Sequence, residues 1–405
     1  MLSSLAFLAL SAASAVSATN LFISDYAGNV TSVSLTESNG TYALNQTHIT
    51  AECAPNPSWL TIDANRGLLF CLNEGLETVN GSISSFTINP DGSLTHIQNT
   101  TSISGPVNGV IYGNPAGQRA IALAHYTGSA VTSWLLNGGG KFSHNQDLPY
   151  TLSAPGTVPA RQDAPHEHEA ITDPTGQYIL VPDLGADLVR IYSWDTKNLK
   201  LKTLAPLQVP AGSGPRHARF WNPYGVSGSG STTFFYVVTE LTSQIIGYAV
   251  TYLPGNTGLS FSKVYNSSTY DLLNLPEGNA PAEIQISPDN QYLIISNRNN
   301  TSFTLPEPSG VLLPSDSLST FKLQKDGTLV FHQLWPAGGS YPRHFSLNAV
   351  GSLVAVGLQY SQDVVILERD VSTGLIGEPV ARIPVGGNVT CVVFDEEKAL
   401  GTLGG

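Results

Sequence analysis

The sequence predicts an all-β fold, a seven-bladed β-propeller whose ring is closed by the two ends of the chain. The first observation behind this is a recurring unit: an apolar run, a four-residue polar turn, and a second apolar run. The turns are Asp63-Ala64-Asn65-Arg66, Asn114-Pro115-Ala116-Gly117, Asp173-Pro174-Thr175-Gly176, Asn222-Pro223-Tyr224-Gly225, Ser287-Pro288-Asp289-Asn290 and Asn348-Ala349-Val350-Gly351. They recur about every 50 to 65 residues, a spacing suited to four-stranded blades with variable loops. The second observation is the β-rich stretch after each turn, such as Tyr178-Ile179-Leu180-Val181 or Tyr292-Leu293-Ile294-Ile295, which runs on to a polar residue. The third is that the two ends complement each other. Leu21-Phe22-Ile23-Ser24-Asp25 reads as a second strand with no first strand before it, and Val389–Phe394 as a first strand with little after it. Pairing them gives the seventh blade and hides two sheet edges.

No stretch carries a long apolar stripe at helical spacing, so nothing competes with the all-β reading. The first eighteen residues have a short apolar core, Leu5–Leu10, and end in small residues, the pattern of a secretory signal peptide. Residues 19–405 are then one propeller domain. Asn-x-Ser/Thr sequons at Asn29, Asn39, Asn45, Asn80, Asn99, Asn266, Asn299, Asn300 and Asn388 agree with a secreted glycoprotein, extracellular or cell-wall associated. The net charge of −12 argues against nucleic acid or an anionic membrane as partner. Beyond the leader, no segment is apolar enough to span a bilayer. Three cysteines allow one disulfide; Cys53 with Cys71 is the local choice over a pairing with Cys391, and spacing alone leaves it open.

The blades point to one place. Aligned on their turns, the second strands end on Asp25, Asn73, His125, Asp183, Glu240, Asn297 and Gln359, followed by Tyr26, Glu74, Tyr126, Leu184, Leu241, Arg298 and Tyr360. In an antiparallel blade these ends lie beside the starts of the inner strands. Those starts carry His166 and His168, Arg216 and His217, Glu283, and Arg343 and His344. Asx side chains suit turns, so Asp25, Asn73, Asp183 and Asn297 fit a backbone-satisfying role. Three arginines near one axis repel one another unless carboxylates or an anionic ligand compensate them. The candidate substrate-binding residues at this mouth are His125, His166, His217, Glu283, Arg343, His344 and Gln359, alongside His168, Arg216, Glu240 and Arg298.

Several segments, in order, carry a resemblance: Pro165-His166-Glu167-His168, Val181-Pro182-Asp183-Leu184-Gly185-Ala186-Asp187, Gly214-Pro215-Arg216-His217, Val238-Thr239-Glu240-Leu241, Ser296-Asn297-Arg298 and Pro342-Arg343-His344-Phe345. The chain resembles the seven-bladed propeller lactonase family, which includes bacterial-type 6-phosphogluconolactonases and fungal 3-carboxy-cis,cis-muconate lactonizing enzymes. The resemblance implies a channel site without metal or cofactor, with His168, Arg216, Glu240 and Arg298 as its functional residues. It also implies a lactonase or a muconate-type cycloisomerase acting on a small acidic lactone or a di- or tricarboxylate. His125 stands where the family usually has Asn, and the Pro/Ser-rich insertion Thr301–Ser317 follows Arg298 at the mouth, where it is expected to act as a lid or narrow substrate choice.

Opening a lactone needs an activated water and positive donors for the oxyanion. His168 is the expected acid-base group and Glu240 a base or an orienter, with the arginines as anion clamps. The competing class of function is a secreted non-catalytic glycoprotein, an adhesin, antigen or glycan-binding propeller, for which Tyr26, Tyr126 and Tyr360 would supply aromatic contacts.

Overall fold

The computed structural model describes residues 17–225, 232–306 and 310–396. Seven four-stranded antiparallel sheets make up the ring. Blade 1 runs from Pro57–Asp63 to Leu94–Ser102, blade 2 from Pro106–Gly113 to Phe142–Pro149, and blade 3 from Ile171–Thr172 to Leu201–Gln208. Blades 4, 5 and 6 begin with Pro215–Trp221, Ala280–Ile286 and Pro342–Leu347. The seventh sheet takes its inner strand, Val389–Phe394, from the C-terminal end and its other three from Ser17–Asp25, Val30–Ser38 and Thr41–Thr50. Leu21 pairs with Phe394 and Ile23 with Val392, the closure the sequence predicts. The expected signal peptide lies outside the described residues up to residue 16, and so do residues 226–231, between Pro215–Trp221 and Thr233–Thr239.

Alternation of apolar and small polar residues along each strand gives every blade two packing faces. Seven apolar clusters result, each built from two neighbouring blades, for example Tyr178, Leu180 and Ile191 against Ala218, Phe235 and Val237. Each fully buried Leu, Ile or Phe in them contributes about 1.5–3 kcal/mol. Cys53 and Cys71 form the disulfide, with Cα atoms 5.9 Å apart, and Cys391 is buried and free.

The six turns join inner to second strands on one face of the disc, called here the far face. In five of them the fourth residue donates back to the carbonyl of the first, as Gly176 does to Asp173 at 3.0 Å, with φ of +65°. That backbone conformation explains Gly at four of these positions and Asn290 at another. In blade 1 the turn is shifted by one residue, and Gly67 takes the positive φ.

On the opposite face the inner strands have a feature not legible in the sequence. In most blades the pairing slips just after the strand opens: Pro57 pairs with Asn73 but Trp59 with Leu72, Pro106 with His125 but Asn108 with Ala124, Pro215 with Thr239 but His217 with Val238, and Pro342 with Leu358 but His344 with Gly357. Each slip is a β-bulge, and the extra residues are Ser58, Val107, Arg216 and Arg343. Thr390 is the extra residue in the closing blade. In blade 3 the bridge from Glu167 to Asp183 gives His168 the same place. Bulges re-aim side chains, and these residues line the channel at one level.

The same pairing corrects the predicted register. Pro215 faces Thr239 where Pro281 faces Asn297, so Glu240 belongs one step further along, with Glu74, Tyr126 and Arg298. Gln359 moves likewise, because Leu358 faces Pro342.

Candidate active site

Asp25, Asn73 and Asp183 serve the backbone, Asp25 Oδ1 accepting from the Ala27 amide, whereas Asn297 bonds to the side chains of Asn279 and Ser319. Asp183 Oδ1 accepts from the amides of His166 and Ala186, and Asn73 Oδ1 from those of Asn56 and Gly75. His125 belongs with them, contrary to the expectation that it lines the channel. It is fully buried; Nδ1 faces the carbonyls of Ile103 and Ser104, and Nε2 lies 2.9 Å from the Thr132 hydroxyl. Burial holds it neutral, with its pKa down at about 4.

One residue further along, the side chains converge. Glu240 is the hub. Its Oε2 lies 2.9 Å from both Arg216 Nε and Arg298 Nη2, ionic contacts rather than aligned hydrogen bonds. Its Oε1 accepts from Arg161 Nη2 at 2.6 Å. Burial alone would raise the Glu240 pKa, but Arg298, Arg216 and Arg161 together hold it well below the usual carboxylate range. Glu240 is therefore held ionised, with its oxygens taken up by the three arginines it orients. Burial and the neighbouring Arg298 pull Arg216 down to about 9. Arg298 also donates Nε to the Ala280 carbonyl and sits over the Tyr341 ring at 4.9 Å. Opposite, Arg343 sits over the Tyr26 ring at 5.4 Å, and the Tyr26 hydroxyl donates to Glu74.

Gly214 makes this packing possible. Its φ is +60°, and a Cβ there would stand 2.5 Å from Leu241 Cγ, two residues before Arg216. Asp316 fixes the other wall. It accepts the amides of Asn299, Asn300, Thr301 and Tyr341, so the base of the insertion after Arg298 is bolted down. The insertion itself forms a hairpin, Phe303–Pro306 with Leu312–Ser315, and residues 307–309 lie outside the described residues.

Beneath this layer the channel narrows to about 10 Å³, bounded by Ser58, Trp59, His168, Arg216, Arg343 and His344 among others. That is room for roughly one water. His168 Nδ1 lies 3.2 Å from His217 Nε2, and His217 Nδ1 lies 2.9 Å from Glu283 Oε2. Burial, then Arg216, keeps both histidines well below their ordinary pKa. His344 falls to about 4, chiefly through burial, and its Nδ1 accepts the Val392 amide at 3.2 Å.

Two other expectations change. Glu283 has a fully buried side chain whose oxygens are taken by Arg219, Gln285 and His217, so it cannot touch a ligand. His166 stacks on Tyr126 with ring centroids 4.3 Å apart and bonds to Asp163, supporting the wall without lining the channel. Gln359 does reach the mouth level and leaves Oε1 unbonded. Glu169, His217 and Glu283 bring ligand-type atoms within 4.8 Å of one another. Arg219, however, donates to both carboxylates, so the trio is an ion-pair cluster with a guanidinium as its cation.

Sequence reasoning missed Arg161. It lies in the long connection between Phe142–Pro149 and the Pro165 segment, 41% exposed, and reaches both Glu240 and the Tyr126 hydroxyl. The available signal was an arginine in a charge-poor chain, on a loop that leaves the mouth face.

Buried arginines, a carboxylate hub and channel histidines thus meet at one mouth of the propeller, an arrangement with the donors to hold a small anion. The family described as "Lactonase, 7-bladed beta-propeller" matches residues 20–394, and the chain belongs to it. It is 28% identical to the "Probable 6-phosphogluconolactonase" of Arthroderma benhamiae over 88% of this chain and 83% of that one. It is 26% identical to the 6-phosphogluconolactonase of Formosa agariphila over 84% of this chain and 88% of that one. In fold it is similar to the periplasmic gluconolactonase of Pseudomonas aeruginosa, with TM-score 0.74, 23% identity, and 93% and 99% of the two chains covered. A Lactobacillus plantarum protein of known structure gives TM-score 0.75 at 21% identity, over 93% and 99% of the chains.

Proposed function

We propose that the protein is a secreted lactonase that hydrolyses a small acidic lactone of the sugar-acid type in the propeller mouth. The observation that carries this is the cluster of Arg161, Arg216 and Arg298 held on Glu240 directly above His168. Four guanidiniums, counting Arg343, face two carboxylates, Glu240 and Glu74, so the mouth keeps a positive excess inside a chain of net charge −12. Such a local field selects small anions. Arg298 and Arg161 would hold the substrate's carboxylate or phosphate. Arg216, next to His168 in the bulge ring, would stabilise the oxyanion as water adds to the ring carbonyl. His168, kept neutral by its surroundings, is available to take the proton of that water and return it to the leaving alkoxide.

Secretion is supported by the apolar leader, by the Cys53–Cys71 disulfide, which suits an oxidising compartment, and by the exposure of the sequon residues Asn39, Asn45, Asn80, Asn99, Asn266 and Asn299. The test is acid release by the full chain on 6-phosphoglucono-δ-lactone, glucono-δ-lactone and a muconolactone, followed by pH-stat. Hydrolysis above the spontaneous rate that disappears in His168→Gln supports the reading. No hydrolysis on any of the three would return the site to the binding-protein class.

A further inference from the structure

We infer that His217 and Glu283 are positioning residues which fix the tautomer of His168, so that His168 presents a bare Nε2 to the channel and works as a base. The inference rests on the lactonase reading above for its catalytic meaning, but its geometry stands apart from any substrate.

Protons on imidazoles are assigned from the network around them, and here the network leaves one arrangement. Glu283 Oε1 already accepts two donors, Arg219 Nη2 at 2.7 Å and Gln285 Nε2 at 2.9 Å. Glu283 Oε2 is left for His217 Nδ1 at 2.9 Å, and a carboxylate can only accept. His217 therefore carries its proton on Nδ1, and its Nε2 is a lone pair. That lone pair lies 3.2 Å from His168 Nδ1, so His168 must donate there. With its proton on Nδ1, neutral His168 has a lone pair on Nε2. Among the described residues Nε2 of His168 has no hydrogen-bond partner, and His168 borders the one-water space shared with Arg216 and Arg343. His344 is set the other way, because its Nδ1 accepts the Val392 amide. Its Nε2 then carries the proton and lies 3.7 Å from Glu283 Oε2, too far for a hydrogen bond, so that oxygen stays free to accept from His217.

The remaining neighbours do not disturb the chain. Tyr126 meets His168 edge-on at 5.5 Å, and the groups acting electrostatically on His168 are Arg216, His217, Glu240 and Arg343. His217 is enclosed by Trp59, Glu169, Arg219 and His344. In the reaction, His168 Nε2 takes a proton from water as the hydroxide oxygen bonds to the lactone carbonyl carbon. The imidazolium then keeps its Nδ1–H on His217, and Glu283 offsets its charge through that ring. When the ring C–O bond breaks, the departing alkoxide takes the proton back from Nε2, and His168 is restored.

The structure also says what would reverse the chain. In Glu283→Gln, Arg219 and Gln285 both donate to the Oε1 position, so the amide oxygen must sit there and the amide NH₂ must face His217 Nδ1. His217 would then move its proton to Nε2, and His168 would have to accept on Nδ1 and carry its proton on Nε2. The base would become a donor with no change in size. The experiment is ¹⁵N-imidazole NMR on histidine-labelled full chain, with resonances assigned by single substitutions, beside steady-state kinetics on the best lactone. Wild type is expected to show His168 and His217 protonated at Nδ1 and His344 at Nε2. Glu283→Gln is expected to show His168 and His217 protonated at Nε2, with kcat reduced roughly 10²-fold or more and KM nearly unchanged. A wild-type His168 protonated at Nε2 overturns the inference whether or not the variant folds. So does a folded Glu283→Gln with unchanged tautomers and wild-type kcat. The expected tautomers in a protein that turns over no lactone would support the chain and refute the lactonase reading, so the two fail separately.

Discussion

On the far face, Asp173 Oδ1 accepts the amides of Gln177 and Tyr178, while Oδ2 accepts from the Thr175 amide and hydroxyl and the Tyr252 hydroxyl. At the mouth, Glu240 meets three guanidiniums and takes one directed hydrogen bond. Both carboxylates are buried at strand ends of the same repeating unit. Asp173 satisfies backbone and hydroxyl donors and closes a turn. Glu240 compensates charges that packing alone would never put together. The far face is thus tied by turn hydrogen bonds and the mouth by ion pairs, and the strand pairing shows the device: bulges at the mouth, tight αL turns opposite.

That contrast can be broken by experiment. The largest effect is expected for Glu240→Ala, which leaves Arg161, Arg216 and Arg298 uncompensated; unpairing a buried charge costs about 3–5 kcal/mol. Chemical denaturation should show that loss together with near-complete loss of activity. A variant of wild-type stability would mean that the arginines are compensated some other way.

Acid should destabilise the fold through the mouth-side histidines. His125 and His344 titrate at about 4 when folded against about 6.5 when unfolded, and His168 and His217 are shifted the same way. Between those values the unfolded chain binds more protons, so stability is lost as pH falls from 6.5 towards 4, by about 1.4 kcal/mol per unit for each such group. Glu169, raised to about 7 chiefly by burial, and Glu167, also raised well above its ordinary value by burial, oppose this with the reverse sign above 4.5, because their folded forms hold the extra proton. Four histidines outweigh the two glutamates, and Tm should fall over the window. A flat profile would contradict the burial of the four rings.

Arg298→Ala should weaken an acidic ligand by about 1.5–3 kcal/mol, the range for hydrogen bonds to charged groups, measured by calorimetry. Raised salt should weaken the same binding in wild type. The smallest effect is the control. Asp173→Ala should cost about 1–3 kcal/mol of stability from unsatisfied turn donors and leave kcat unaltered.

Much of this was legible in the sequence because apolar alternation and turn residues are local signals. The turns, the closure through Val389–Phe394 and the convergence of His168, Arg216, Glu240, Arg298 and Arg343 all follow from them. The register of Glu240 and Gln359 did not. An alignment on the ends of apolar runs cannot see that the inner-strand prolines set the pairing. The bulges that aim Arg216 and Arg343 exist only in that pairing. His125 looked like a mouth residue because polarity was visible and burial was not. Arg161 sits in an irregular connection with no periodicity to place it, and Glu283 could not be separated from ligand-binding carboxylates until Arg219 was seen bonded to it.

The central claim is that the mouth, and not the far face, takes an acidic lactone on its arginines. The most direct test is the ratio of kcat/KM for 6-phosphoglucono-δ-lactone to that for glucono-δ-lactone, measured in wild type, Arg298→Ala and Asp173→Ala. A ratio well above one in wild type and Asp173→Ala that collapses in Arg298→Ala is the expected result. Equal turnover of the two lactones, unmoved by Arg298→Ala, would contradict it.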